Sequence, residues 1–273
     1  MELGVNLKYF SREIGLEKAS EIAKQIGFKN IDYTPLYTES DSDVLNTIKI
    51  FEKNELSVIQ THAPFNRYSA FPTVEEHKKA IDICLENTKR MNAKYMVVHG
   101  DEFDFDNEEY TENKVKTYNY EYFAPFVEKA EKYGIKIAFE NVFEDIVGGK
   151  PRPRFCSKAD DMVAIIEKFN TPCVCACWDF GHGAVASKEK QPEEILKLSQ
   201  YIECTHVHDN YLRGDLHLVP FMGKIDWHAC MRALKTTHCE TFTYELVYGN
   251  VQENTSHSLM KLLWDTGKEL LTF

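Results

Sequence analysis

The chain has 273 residues, 43% of them hydrophobic, which is enough to bury one large core and too apolar for a disordered chain. Its formal net charge of −11 argues against a nucleic-acid ligand, since duplex binding is driven largely by Lys and Arg neutralising phosphates. No apolar run approaches the roughly 20 residues that span a bilayer, and Met1–Gly15 lacks the basic-then-apolar order of a signal peptide, so no membrane partner and a cytoplasmic location are expected.

Short apolar runs alternate with amphipathic runs of helical period along the whole chain. Glu2–Leu7 predicts a strand, followed by a helix over Leu16–Ile26 that Gly27 closes. Lys29–Tyr33 predicts a second strand and Asp41–Lys53 a helix capped by Ser40 or Asp41. Leu56–His62 is strand three, and Thr73–Met91 a helix whose Thr73 and Glu76 have capping-box spacing. Tyr95–His99 and a long helix over Asn113–Tyr133, ended by Gly134, come next. Ile135–Asn141 with Ser157–Phe169, and Cys173–Phe180 with Pro192–Leu198, make two further strand–helix pairs. Ile202–His208 with Trp227–Leu234, and Thr241–Val247 with Thr255–Leu271, complete eight. Strict alternation implies a parallel sheet. The count of eight, the polar strand ends and the absence of GxGxxG after strand one favour a closed (β/α)8 barrel over an open dinucleotide-binding sheet. No linker, repeat or low-complexity tract divides residues 1–273, so one domain is expected.

Eight cysteines carry no CxxC spacing. Cys173, Cys175 and Cys177 alternate along one strand, where same-face neighbours lie about 7 Å apart, a poor disulfide geometry. Free buried thiols are the expectation.

Six apolar runs end on a His, Asp or Glu. They reach His62, His99, Glu140, Asp179 with His182, His206 with His208, and Glu245. Imidazole and carboxylate are the donors that hold a divalent metal. Glu140 and Glu245 each follow strand residues, and a carboxylate buried there costs several kcal/mol unless it is paired or metal-bound. A structural salt bridge is the alternative for either one alone. Asp179 stands in WDFGH, where Gly181 and Gly183 suggest a turn and Asp179 could simply cap the next helix. His206 and His208 share a strand face, with Asp209 next; His208 suits a partner behind the ligands or a substrate donor.

Two connections are long. Gly100–Glu112 is strongly acidic, and Phe143–Cys156 carries Gly148-Gly149 followed by Pro151-Arg152-Pro153-Arg154. Guanidinium groups suit phosphate or carboxylate, which makes Arg152 and Arg154 candidate substrate contacts. Lys224, in MGKIDW, could reach a substrate oxyanion, and Asp226 suits a helix N-cap. Phe65, Tyr68, Phe103 and Trp178 could stack on an apolar sugar face; core or rim packing is the alternative for each.

The stretches THAPF, HGDE, FENV, DFGH, HVHDN, GDLHLVPFMGKIDW and YEL run in order from Thr61 to Leu246. Together they resemble the xylose isomerase-like superfamily of metal-dependent barrels. The closest resemblance is to its sugar and sugar-phosphate isomerase and epimerase branch, which is related to endonuclease IV-type apurinic endonucleases. The resemblance implies a divalent ion, Mn2+ or Zn2+, on Glu140, Asp179, His206 and Glu245, with His182 on the substrate. It implies proton transfer by Glu140 and Glu245 through a metal-held cis-enediolate of a small sugar, sugar phosphate or other hydroxy-carbonyl compound. The nuclease relatives hold three zinc ions, and His62, His99, His182, Asp215 and His217 match their additional ligands. Two or three ions are therefore left open, as are a phosphodiesterase, lyase, dehydratase or aldolase-like activity, or a binding barrel without turnover. A homo-oligomer is allowed and nothing in the sequence requires one.

Overall fold

A computed structural model describes the chain except residues 36, 66–69, 101–110, 144, 148–149, 153 and 248–251, with backbone alone at 145–147 and 150–152. Its strands are β1 (Glu2–Asn6), β2 (Asn30–Asp32), β3 (Ser57–His62), β4 (Tyr95–His99), β5 (Lys136–Glu140), β6 (Asp145–Val147), β7 (Lys150–Arg152), β8 (Val174–Asp179), β9 (Ile202–His206) and β10 (Thr241–Tyr244). Eight of them form one parallel sheet in the order β10-β1-β2-β3-β4-β5-β8-β9. The two edges meet through a parallel bridge between Val207 and Tyr244, with Val207 N–H donating to Thr243 O at 2.8 Å. The fold is thus the expected (β/α)8 barrel. The small antiparallel hairpin β6–β7 lies in the long connection after β5.

Helices Leu16–Ile26, Asp41–Lys53, Val74–Arg90, Glu112–Tyr133, Ala159–Phe169, Gln191–Lys197, Trp227–Leu234 and Glu253–Leu270 surround the sheet. Ser40 caps the second with a full capping box to Asp43, and Thr73 accepts from Glu76 N–H at 3.2 Å. Two further helices, Lys8–Ile14 and Phe180–Ser187, were not expected. The second corrects the turn read from Gly181 and Gly183. Both glycines lie inside the helix, and their role is close packing: a Cβ at Gly181 would sit 1.8 Å from His208 Cε1, and one at Gly183 would sit 2.6 Å from Trp178. Strands β9 and β10 also end earlier than the apolar runs suggest. Beyond Val207 the backbone leaves the sheet, because Asp209 pairs antiparallel with Leu218.

The lumen is filled by Ile59, Tyr95, Val97, Ala138, Cys175, Cys177 and Cys204, separate from the larger core between strands and helices. All eight cysteines are unpaired thiols, as expected, and seven are buried. Burial, reinforced by Cys204, pushes the Cys175 and Cys177 thiols well up, which keeps them protonated and inert. Polar pairs close the N-terminal mouth. Lys136 bonds Glu203, Lys94 bonds Glu240, and the Tyr95 hydroxyl donates to both carboxylates at 3.2 and 3.3 Å. The His, Asp and Glu side chains are left at the other end.

Candidate metal centre at the C-terminal rim

Five strands deliver an expected ligand-type side chain on their last residue. These are His62 on β3, His99 on β4, Glu140 on β5, Asp179 on β8 and His206 on β9. Register places His99 beside Glu140 and Asp179 beside His206. Glu245 follows β10 directly, tied by its N–H to Val207 O at 3.2 Å.

Glu140 is the hub and is 1% exposed. Its Oε2 lies 2.9 Å from His62 Nε2 and 3.3 Å from His99 Nε2. Its Oε1 lies 3.1 Å from His206 Nδ1 and 3.3 Å from His182 Nδ1. Burial alone would raise its pKa, but the His206, His182 and His62 imidazoles outweigh that and hold it well below the usual carboxylate range. The same pairs act in reverse on the rings. Burial disfavours their charge, yet facing carboxylates raise the pKa values of His62, His182 and His206.

Donor atoms gather into four groups, each with its atoms within 4.8 Å of one another. One is Glu140, Asp179, His206 and Glu245, the expected primary set. The others are His62–His99–Glu140, Asp179–His182–His208 and His208–Asp215–His217. A divalent ion fits this chemistry, since all donors are imidazole nitrogens or carboxylate oxygens. The polar accounting also fits. Both ring nitrogens of His206 and Oδ1 of Asp215 are buried without a hydrogen-bond partner. Such orphans are costly unless something else occupies them.

Asp179 caps the next helix, as its sequence context allowed, and still turns an oxygen toward the other donors. Oδ1 accepts from His182 N–H at 2.6 Å and caps Phe180–Ser187, while Oδ2 faces His208 Nε2 at 3.0 Å. His208 stacks on His217 at 4.0 Å between centroids, and His217 Nε2 sits 3.0 Å from Asp215 Oδ2. That carboxylate offsets burial and pushes the His217 pKa up to about 9. The loop carrying Asp215 and His217 is strained, with positive φ at Leu212, His217 and Phe221. Buried Asp209 holds it in place. Its two oxygens accept from the N–H groups of Asn210, Phe221, Gly223 and Ile225 and from Trp227 Nε1, at 2.8 to 3.2 Å.

The expected substrate contacts divide. Arg154 reaches the rim indirectly, donating to Phe143 O at 3.4 Å with its guanidinium 5.6 Å from the Phe143 ring, which packs 5.2 Å from His182. Phe65 is exposed and stacks 4.5 Å from His99. Trp178 is buried core. Lys224 lines a surface cavity with Tyr211 and Arg213, and none of the grouped donors lines that cavity. Asp226 caps Trp227–Leu234 as expected, accepting from Ala229 N–H at 2.9 Å. The Arg152 side chain, Tyr68, Phe103 and most of the acidic loop lie outside the described residues.

Two residues at this end were missed. Tyr9 lies close enough to the rim for burial, then Glu245 and Asp215, to raise its pKa. Asp32 ends β2 and places Oδ2 3.3 Å from His206 Nε2. Its signal was weak, because β2 is Asn30-Ile31-Asp32, with a single apolar residue before the acid.

Residues 20–262 match the model of the xylose isomerase-like TIM barrel family. The chain belongs to that family. Among curated relatives, the uncharacterized protein y4fM of Sinorhizobium fredii is 30% identical over 80 residues, covering 28% of this chain and 24% of that one. The uncharacterized protein MJ1311 of Methanocaldococcus jannaschii is 23% identical over 247 residues, 86% of this chain and 80% of that one. Similar solved structures include a D-psicose 3-epimerase studied with D-fructose, with TM-score 0.76, 13% identity and full coverage of both chains. Another is the IOLI protein with a bound zinc atom, with TM-score 0.77, 17% identity and 100% and 98% coverage. Both show the shared fold of this xylose isomerase-like barrel. No helix among its described residues is long and apolar enough to cross a membrane.

Proposed function

We propose that this barrel is a divalent-metal-dependent isomerase or epimerase of a small sugar or sugar phosphate. The observation that carries the reading is the convergence of Glu140, Asp179, His206 and Glu245, from four strand ends, within 4.8 Å at the catalytic rim of the fold. These four side chains would hold the ion, Mn2+ or Zn2+. Bound there, it supplies Lewis-acid polarisation of a substrate carbonyl and so acidifies the neighbouring C–H. The two glutamates carry the proton. Glu245 is 26% exposed and accessible from the mouth, which suits removal of a proton from one face of the substrate. Glu140, with its oxygens facing four imidazoles, can exchange a proton on the other side. His182 and His208 line the same rim and would orient hydroxyl groups, with Phe65 as an apolar wall.

The reading is tested by incubating the Mn2+- or Zn2+-loaded protein with a panel of ketoses and ketose phosphates in D2O and following deuterium at the carbon beside the carbonyl. Expected is exchange on at least one substrate, lost on chelation and reduced at least 100-fold in Glu245→Gln, the low end of the ~10²–10⁴-fold worth of general acid–base help. Wild-type exchange rates in Glu245→Gln would remove the glutamate from the chemistry.

A second reading rests on the three other donor groups, which would let the rim hold two or three ions and hydrolyse a phosphodiester, as endonuclease IV-type enzymes do. The net charge of −11 weighs against duplex DNA. Cleavage of an abasic duplex at physiological salt would reverse that preference.

A further inference from the structure

Asp32 is 1% exposed, and among the described residues no Lys or Arg lies within ion-pair distance of it. A buried carboxylate without a cation is expensive, so its position asks for a function. Its Oδ2 faces His206 Nε2 at 3.3 Å, an approach too poorly aligned to count as a formed hydrogen bond, and its Oδ1 has no partner. Gln60 fixes it there. Gln60 is fully buried, sits opposite Asp32 in the β2–β3 register, and donates from Nε2 to Asp32 Oδ2 and to Thr205 O, each at 3.4 Å. Thr205 immediately precedes His206 on β9. One amide therefore spans the lumen and holds the carboxylate under the imidazole.

The other edge of the His206 ring faces the primary donor set. Nδ1 lies 3.1 Å from Glu140, 3.4 Å from Glu245 and 4.0 Å from Asp179. The ring thus stands between two carboxylate environments, with one nitrogen for each. We propose that Asp32 is a positioning residue that accepts the Nε2 proton of His206, so that His206 presents the Nδ1 lone pair to the cation. The inference rests on the metal centre proposed above. It adds which nitrogen coordinates and what selects it. A carboxylate behind a ligand imidazole fixes the tautomer and ring plane and raises ligand basicity, and loss of such a partner weakens metal binding about 10- to 100-fold.

The test uses full-length protein, Zn2+ alone as the probe, and 15N-histidine NMR. In the wild type, titration with Zn2+ should shift His206 Nδ1 to a ligated value while Nε2 retains its proton. In Asp32→Asn the Zn2+ Kd read from the His206 resonances should rise about 10- to 100-fold. Asp32→Glu should recover part of that loss, which a purely structural defect would not. Zn2+ on Nε2 of wild-type His206, or an unchanged Kd in Asp32→Asn, overturns this inference and leaves the metal centre standing. Failure of the wild-type His206 resonances to respond to Zn2+ overturns both. The tautomer measurement needs no variant, so a misfolded Asp32→Asn does not shelter the proposal.

Discussion

Asp209 gives the sharpest stability prediction, because one buried carboxylate satisfies five donors. Oδ1 accepts from the N–H groups of Asn210 and Ile225, and Oδ2 from Phe221 N–H, Gly223 N–H and Trp227 Nε1. Asp209→Asn keeps the size and turns one oxygen into a donor. In its better orientation the amide keeps the three bonds on one side and sets an NH2 group against two backbone N–H groups on the other. Each lost acceptor costs about 1–3 kcal/mol when the orphaned donor is buried, so two lost bonds predict about 3 kcal/mol. At about 2–4 °C per kcal/mol for a chain of this size, the Tm should fall by ~6–12 °C. Asp209→Ala, which abandons all five donors, should fall further. Differential scanning calorimetry on the metal-free protein reads this directly, free of any ligand effect. A Tm for Asp209→Asn within ~2 °C of wild type would refute the reasoning, since it would mean that water or loop movement satisfies those donors at little cost. The loss also reaches the rim, because the strained loop that Asp209 anchors carries Asp215 and His217.

Metal binding should strengthen as pH rises. In the metal-free protein the carboxylates hold His62, His182 and His206 above their ordinary pKa and His217 at about 9, so these rings keep their protons to higher pH than a free imidazole and a cation must displace them. Isothermal titration in buffers of different ionisation enthalpy should show proton release on Zn2+ binding, and affinity should increase from pH 6 toward pH 9; pH-independent affinity would contradict the assigned charge states. Gly181→Ala places a methyl group into the His208 ring, so it should displace that ring from Asp179 and His217. Histidine NMR should show His208 shifted while His62 and His99, at the other end of the cluster, stay in place; an unmoved His208 would mean that the helix yields instead.

The barrel was legible because its physics is repetitive. Eight apolar runs at strand length, each followed by a 3.6-period helix, leave few arrangements that bury every face. Strand-ending acids and imidazoles were legible for the same reason, since a strand end in this fold is a position on the rim. What escaped was set by tertiary contact. Asp32 ends a strand of only three residues, too short to look like a buried ladder, and its partner Gln60 is an ordinary amide until β9 is placed across the lumen. Gly181 reads as a turn residue from sequence alone, and only the position of the His208 ring, 27 residues away, shows that it is a space left in a helix. Asp209 sits beside two candidate ligands and looks like a third. Its five donors come from a loop whose path no local pattern encodes.

The ion-pair network and the proposed metal centre are one electrostatic object. Asp32, Glu140, Asp179, Asp215 and Glu245 place five carboxylates among six imidazoles in a pocket where Glu140, Asp179, His206 and His208 are fully or almost fully buried. Such a set cannot stay folded with all its acids ionised and all its rings neutral, because uncompensated buried charge costs more than a domain's net stability. In the metal-free protein the pairing supplies the compensation: the pKa values of His62, His182, His206 and His217 are driven up, and those of Glu140 and Asp179 down despite burial. A divalent cation bound there would supply the same charge, so protons and metal would compete for the same nitrogens. The groups also share members: Glu140 belongs to two, Asp179 to two and His208 to two. A second ion on His62–His99–Glu140 or on Asp179–His182–His208 would therefore share a bridging ligand with the first and feel its charge at close range, whereas one on His208–Asp215–His217 would share no ligand with the four-donor set. The first ion, on the four-donor set, should bind tightest, and later ones should bind more weakly than their ligand counts suggest.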